Sequence, residues 1–140
     1  MIISNEKENL DMYNKHAYLI MCHNNFKHLI KLLAALDNAR NDIYIHVDKK
    51  AVNCPFELIE NSMQRANLFW VNRQVVNWGG YSQIRAELAL LKMATCSYHS
   101  YYHLLSGVDY PLKSQDFIHH FFQEHNRSEF IQFDKTAIEK

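Results

Sequence analysis

Glycine and proline are scarce in this sequence, with three glycines and two prolines among 140 residues. This scarcity excludes collagen-like repeats and differs from the composition of disordered, linker-rich chains. Hydrophobic residues make up 48% of the sequence, which provides enough apolar material for a domain of this length to form a core. We therefore expect one globular domain without internal repeats.

An excess of charge of either sign is also absent. Lysine and arginine number 15, aspartate and glutamate number 15, and the formal net charge is zero. A nucleic-acid-binding domain usually carries a basic excess, and a lipid-binding surface usually carries a polybasic run. Neither partner is predicted.

Paired cysteines and long apolar runs are missing as well. The three cysteines, Cys22, Cys54 and Cys96, are far apart, a pattern that predicts neither a disulfide framework nor a zinc site. The N-terminus turns polar at residues 5–9, so no signal peptide or membrane span is predicted. We expect a cytoplasmic protein that contacts a membrane only peripherally, through a partner or a lipid-linked substrate.

Short apolar runs alternate with stretches of helical periodicity along the chain. Such runs are typical of strands buried on both faces of a parallel sheet. The pattern predicts a polar N-terminal arm at residues 1–14 and one domain at 15–140, with an α/β fold built on an open, mostly parallel, Rossmann-like sheet with flanking helices. Strands are predicted at residues 16–22, 43–47, 68–71, 101–105 and 129–133, and helices at 26–36, 55–65, 82–96 and from 114 onwards.

Helix caps and helix faces can also be predicted. Asn24 or Asn25, Ser82 and Ser114 precede helical stretches and are candidate N-caps. In the third helix, one side carries a stripe of large apolar residues, namely Ile84, Leu88, Leu91 and Met93. Such a stripe is typical of the face that a helix buries.

Polar residues follow each predicted strand, where ligands bind in open parallel sheets. After the four strands come His23, Asp48, Trp78 and Asp109. A carboxylate can accept hydroxyl or ring N–H groups, and an aromatic side chain can cover a planar ring. The dinucleotide and P-loop glycine motifs are absent, which excludes those two classes of phosphate site.

Each of these residues also has a structural interpretation. Asp48 can fix a turn or cap a helix, Trp78 can pack its loop onto the sheet, and Asp109 can close a turn through its side chain. His46 is interpreted as a core histidine, and for His23 both roles stay open. No metal is predicted, because no Asp-x-Asp pair follows a strand and the histidines of the last helix lack acidic or cysteine partners.

Four segments in order resemble one enzyme family: Ala17-Tyr18-Leu19-Ile20, Ile45-His46-Val47-Asp48-Lys49-Lys50, Val76-Asn77-Trp78-Gly79-Gly80-Tyr81-Ser82 and Leu104-Leu105-Ser106-Gly107-Val108-Asp109-Tyr110-Pro111-Leu112-Lys113. They resemble the core 2/I-branching β-1,6-N-acetylglucosaminyltransferases and peptide O-xylosyltransferases. The resemblance implies a GT-A fold and inverting transfer from UDP-N-acetylglucosamine or UDP-xylose. It implies no metal requirement, and an acceptor hydroxyl on a protein, a glycan or a glycoconjugate such as a polysaccharide precursor.

The resemblance also implies roles for individual residues. The segment after the first strand matches the uracil side of the donor site, and Asp109 stands where the sugar and the pyrophosphate lie. Gln132 falls near a position that contacts the acceptor. The implied donor-binding residues are Met21, Cys22, His23, Asp48, Lys49, Lys50, Trp78 and Asp109.

The catalytic residues of the family have no counterpart in the matched segments. In the family, the glutamate that acts as general base and the basic residues that bind the pyrophosphate come well after the segment resembling residues 104–113. Here Glu124, Glu129 and Glu139 stand in no matching context. The expectation is therefore a donor-binding part without a catalytic base, which needs a missing C-terminal half or self-associates. The alternatives are an inactive UDP-sugar-binding module, a non-functional remnant and an unrelated Rossmann-like interaction domain.

Overall fold

The computed structural model describes residues 14–130. The predicted arm at 1–14, the end of the predicted fifth strand and Gln132 lie wholly or almost wholly outside this range. Strands and helices alternate in the order β1 (His16–Cys22), α1 (Phe26–Leu36), β2 (Asn41–Val47), α2 (Phe56–Ser62), β3 (Asn67–Trp70), α3 (Tyr81–Ala94), β4 (Tyr101–Ser106) and α4 (Gln115–Glu124).

The four strands form one open, all-parallel sheet in the order β3-β2-β1-β4. This confirms the predicted α/β, Rossmann-like fold. The strands are paired in register from end to end, so that His16 lies opposite Asn41 and Tyr101, and Met21 lies opposite His46 and Ser106. All four strands therefore end at one edge of the sheet, which we call the carboxyl edge, and begin at the opposite, amino edge.

The sheet is buried on both faces along its two central strands. Successive residues of β1 point to opposite faces, since strand side chains alternate. Tyr18 and Ile20 pack with α1 and α2, whereas Ala17 and Leu19 pack with Leu90 of α3. The continuous apolar run of β1 follows from this double burial. None of the helices in residues 14–130 has both the length and the hydropathy that a membrane crossing requires.

The predicted helix caps are confirmed in one case and wrong in two. Ser114 accepts a hydrogen bond at Oγ from the Phe117 backbone N–H, at 3.2 Å. Asn25 stands before α1 in the left-handed region, with φ of 52°, and its side chain caps nothing. Ser82 lies inside α3, and its Oγ instead accepts from the Asn77 N–H at 2.8 Å, which ties the preceding loop to the helix.

The helix α2 ends at Ser62, before the predicted limit near residue 65. The carboxylate of Asp37 accepts the backbone N–H groups of Gln64, Arg65 and Ala66 at 2.7–3.0 Å. These donors are thereby fixed in a turn that leads directly into β3. A side chain 27 residues away in sequence ends this helix, and no local pattern encodes it.

The buried face of α3 is also different from the predicted one. The helix buries Ala86, Leu90 and Ala94, whereas the large apolar residues of the predicted stripe are exposed. Two alanines at the contact allow the helix to lie close to β1 and β2. This close approach, and not the size of the apolar side chains, decides which face of the helix is buried. The exposed residues are Ile84, Leu88, Leu91 and Met93.

Gly107 provides the closest backbone approach at the carboxyl edge. Its N–H donates to the Met21 carbonyl at 2.8 Å, and a Cβ placed there would lie 2.7 Å from the Cys22 Cβ. We expect Gly107→Ala to destabilise the protein by about 1–3 kcal/mol, because β1 and β4 would have to separate. Urea unfolding measures this, with Gly79→Asn as control.

Gly79 has a φ of +73° and no atom within 4 Å of a Cβ placed there. Asparagine tolerates that backbone region, so the control should stay within about 0.5 kcal/mol of the parent, as surface substitutions usually do. If Gly107→Ala and Gly79→Asn lowered the free energy of unfolding equally, the close approach of β1 and β4 at Gly107 would not be the cause of the destabilisation.

Candidate functional site

A cleft opens at the carboxyl edge of the sheet, where β1, β2 and the loop after β3 meet. It is shallow: about 10 Å³ is accessible to the centre of a water molecule, within about 230 Å³ of empty space that includes open solvent. Five of the predicted donor-site residues line this carboxyl-edge cleft, together with His46 and Val76: Met21, Cys22, His23, Asp48 and Trp78. Residues up to 57 positions apart in sequence are brought together because the parallel strands end at the same edge.

Asp48 is 5% exposed and anchors two loops. Its Oδ1 accepts from the Lys50 N–H at 2.9 Å and from the Val76 N–H at 3.3 Å, and its own N–H donates to the Cys22 carbonyl at 2.9 Å. The second oxygen, Oδ2, lies 3.8 Å from the Lys50 ammonium. The turn-fixing role is therefore present, and it leaves one carboxylate oxygen at the cleft.

The two lysines border the cleft without lining it. Both side chains are exposed. The Lys50 ammonium donates to Asn77 Oδ1 at 3.2 Å, and the Lys49 backbone N–H donates to the Gln74 carbonyl at 3.0 Å. Lys50 thereby places positive charge beside Asp48, between the loops after β2 and β3.

Trp78 stands at the mouth of the cleft and is 63% exposed. Its ring meets that of His23 edge-on, with centroids 5.3 Å apart and planes at 73°. An indole that is held by one edge contact and otherwise exposed has a free face to cover a planar ring. The loop-plug interpretation does not fit this exposure.

Asp109 is not brought to the carboxyl-edge cleft. Its Oδ2 accepts from the Ser106 N–H at 2.7 Å, and its N–H donates to the Ser106 carbonyl at 3.0 Å, so the side chain closes the turn after β4. Asp109 lines a separate cleft with Tyr18 and His103. The turn-closing interpretation describes its contacts.

Cys22 and His46 form the buried floor of the cleft. Burial raises the pKa of Cys22 to about 12, and its Sγ donates to the His46 carbonyl at 3.7 Å. The thiol therefore stays protonated and is a wall rather than a nucleophile. His46 Nε2 accepts from the Gln74 N–H at 3.0 Å, and burial lowers its pKa, which fits the core-histidine interpretation.

Arg73 is a structural element of the site that the sequence reasoning missed. Its Nη2 donates to the carbonyls of Asp48 and Ala51, each at 2.8 Å, and to that of Lys49 at 3.3 Å. Its guanidinium also lies 5.6 Å from the Phe56 ring centroid. Three carbonyls of one loop thus face one cation, an arrangement that only the folded chain creates, so no motif marks it.

A neighbouring cleft shares two walls with the first. It is lined by Met21 and Trp78, and in addition by Gln83 and Glu87 of α3 and by the end of β4. Sequence reasoning also missed this pair, although their spacing of four residues places both on one helix face. In the part of the chain from 14 to 130, no group of three or more metal-ligating side chains is assembled.

Comparison with known proteins defines the class of protein. The sequence model of the family described as "Branch: Core-2/I-Branching enzyme" matches residues 16–139. The chain therefore belongs to the core-2/I-branching glycosyltransferase family. It is also similar to xylosyltransferase 2 of Canis lupus familiaris, with 28% identity over 124 residues. That match covers 83% of this chain and 14% of the relative, so the chain spans a small part of the relative's length.

Proposed function

We propose that this chain is the donor-binding part of an inverting glycosyltransferase and that the carboxyl-edge cleft binds a UDP-sugar of the UDP-N-acetylglucosamine or UDP-xylose class. The observation that carries the proposal is the assembly of Met21, Cys22, His23, Asp48 and Trp78 around one cleft in a member of this family. A largely buried carboxylate, an exposed indole and nearby lysines suit a nucleoside diphosphate.

Each residue has a distinct part in the proposal. Asp48 accepts a uracil N–H or a ribose hydroxyl at Oδ2, while its Oδ1 keeps the loops in place. Trp78 covers the planar base, and Lys49 and Lys50 offset diphosphate charge at the mouth. Asp109 acts by shaping the turn after β4 rather than by direct contact.

The proposed reaction is a single displacement at the anomeric carbon. An acceptor hydroxyl of a glycan or protein forms the new bond, a general base takes its proton and UDP leaves with the bonding electron pair. No metal ion is required in this proposal. Among residues 14–130, Asp48 is the only carboxylate that lines the carboxyl-edge cleft, and its Oδ1 already accepts from two backbone donors, so we place the base outside this cleft.

A second candidate is a module that binds UDP-sugar without transferring the sugar. It is favoured by the lining of the carboxyl-edge cleft, where the one carboxylate found within residues 14–130, Asp48, already accepts from two backbone N–H groups. Incubation with radiolabelled UDP-N-acetylglucosamine or UDP-xylose and a hydroxyl acceptor distinguishes the two functions. Labelled acceptor indicates a transferase, and binding without labelled acceptor indicates the module.

Calorimetric titration with UDP tests the shared part of both candidates. We expect Asp48→Asn to weaken UDP binding by about 10-fold or more, because a hydrogen bond to a charged group contributes about 1.5–3 kcal/mol. The asparagine Oδ1 still accepts from Lys50 and Val76, so thermal stability should change little.

Asp37→Asn is the matched control, since Asp37 also accepts several backbone N–H groups but is not part of the cleft lining. Its UDP affinity should equal that of the parent. The proposed site is wrong if the parent chain binds no UDP, or if Asp48→Asn binds it as tightly as the parent does.

A further inference from the structure

A second polar cleft lies at the amino edge of the sheet, on the α4 side. Its volume is about 300 Å³, in the range of small-molecule sites. β1 has seven residues, which at about 3.3 Å per residue places this cleft roughly 20 Å from the carboxyl edge. Six of the residues around this amino-edge cleft matter here: His16, Arg40, Tyr98, His119, Gln123 and Asn126.

His119 presents an unpaired acceptor in this cleft, although it is only 7% exposed. Its Nε2 lies 2.8 Å from Asn41 Oδ1. The Asn41 amide nitrogen donates to the Leu36 carbonyl and to Gln115 Oε1, so Asn41 Oδ1 has to be an acceptor. His119 therefore carries its hydrogen on Nε2, and the lone pair on Nδ1 has no partner within residues 14–130.

His16 presents a second ring nitrogen in the same way. It is 3% exposed, and its ring stacks on His119 with centroids 3.9 Å apart. Its Nδ1 lies 3.0 Å from His103 Nε2, which leaves Nε2 without a partner among the described residues. Two stacked, buried imidazoles thus each keep one nitrogen available to a ligand.

Arg40 supplies donors beside these nitrogens. Its Nε donates to Asn38 Oδ1 at 3.1 Å and its Nη2 to the Asp116 carboxylate. Its Nη1 has no partner in the described part of the chain. The salt bridge to Asp116 offsets the charge of Arg40, so the cleft provides hydrogen-bond donors without a strong positive field.

These groups discriminate among ligands. Burial lowers the pKa of His16 to about 2, aided by His119, His103 and Arg40, and it lowers the pKa of His119 to about 4, aided by Arg40 and His103. Both rings are therefore neutral near pH 7. A carboxylate or a phosphodiester has only acceptors to offer to the Nδ1 lone pair of His119, whereas a hydroxyl pair donates to that nitrogen and accepts from the guanidinium.

The rim of the amino-edge cleft adds further hydrogen-bonding groups and an aromatic ring. Gln123 and Asn126 are exposed amides that can both donate and accept. Tyr98 is 70% exposed and offers a ring face on which the C–H side of a sugar can pack. We propose that the amino-edge cleft binds a neutral saccharide through two adjacent hydroxyl groups. This second site is separate from the proposed donor site.

Amide chemical shifts of the full ¹⁵N-labelled chain test this, with maltotriose, chitotriose and xylotriose as neutral probes. We expect at least one of them to shift residues 98–101 and 119–126. Tyr98→Ala should weaken that binding about tenfold, and Gln123→Ala by several-fold. Tyr110→Ala is the matched control, because Tyr110 is also an exposed tyrosine (56%) but lies at the carboxyl edge.

Three results would overturn the saccharide site: no shifts with any of the probes, equal affinities for Tyr98→Ala and the parent, or inorganic phosphate shifting the same amides more strongly than the sugars. Saturating UDP should leave the saccharide titration unchanged. Failure of UDP to bind would count against the donor cleft alone, so the two proposals fail independently.

Discussion

Lowering the pH from 7 to 5 will remove up to about 6 kcal/mol of the free energy of unfolding of this protein. Three clustered histidines cause this loss: His16 and His119, which are buried, and His103, which is half-buried. Burial is the largest cause that lowers their pKa values, to about 2, about 4 and about 4. The His16 ring on β1 contacts both the His103 ring on β4 and the His119 ring on α4.

The direction of the effect follows from proton linkage. Each folded-state pKa lies below the unfolded value of 6.5, so the unfolded chain binds more protons below pH 6.5. The stabilisation is fully present above that pH and is lost as the pH falls toward the folded values. At pH 5 each group costs about 2 kcal/mol, since one pKa unit corresponds to about 1.36 kcal/mol. A total stability of about 5–15 kcal/mol leaves little margin.

The charged groups around the cluster do not change this direction. Arg40 lowers the pKa of His16 and of His119 further, and Asp116 opposes it at His119 without prevailing. Asp42 titrates in a different range. Burial raises its pKa, but hydrogen bonds from Lys15 and other neighbours prevail and lower it, so its contribution is lost only below about pH 3.8.

Urea unfolding at pH 5, 6 and 7 measures the effect. His119→Gln should reduce the pH dependence by about one proton. His120→Gln, the next residue on the same helix and an exposed one, should leave it unchanged. A free energy of unfolding that is equal at pH 5 and pH 7 would refute the role of the cluster.

Leu104→Lys will weaken the self-association that we expect for the parent chain. Within residues 14–130, β4 is an edge strand, and it contains neither proline nor charged Lys, Arg, Asp or Glu. Tyr102 and Leu104 on its α3 side are 39% and 54% exposed. An unprotected edge of this kind can pair with a second chain. If two copies pair antiparallel about His103, Tyr102 of each lies opposite Leu104 of the other, a favourable cross-strand pair.

Sedimentation velocity over a range of concentrations measures the association. A lysine at position 104 charges the edge strand, so we expect the dimer to weaken at least tenfold. Leu112→Lys is the matched control, because Leu112 is 95% exposed and lies outside the strand. A parent chain that remains monomeric at all concentrations, or equal effects of the two substitutions, would contradict pairing through β4.

The elements of the fold were predictable to within a few residues wherever the sequence pattern was local. The strand over residues 16–22 was predicted with both bounds correct, because burial on both faces requires an unbroken apolar run. The Ser114 cap was predictable for the same reason, since the hydrogen bond spans three residues. The end of α2 was not, because it depends on Asp37, which lies in another part of the sequence.

The candidate site likewise contains residues that the sequence pattern predicted and residues that only the folded chain brings into place. Asp48 and Trp78 were predicted because ligands bind beyond the carboxyl ends of parallel strands. They do line one cleft, since parallel strands of equal register end at the same edge. The same rule predicted a donor-binding role for Asp109, but its carboxylate closes the turn after β4 instead. Arg73 had no local signal, since the three carbonyls that accept from its Nη2 belong to a loop 22–25 residues earlier.

The sequence by itself determined the βα alternation, the parallel sheet and the family, because each depends on short patterns repeated in order. Only the tertiary structure decided which strand-end residues share a cleft, which face of α3 is buried and that His16, His103 and His119 meet. Those outcomes depend on contacts between residues that are distant along the chain, and the direction of each side chain is settled by the neighbours it packs against.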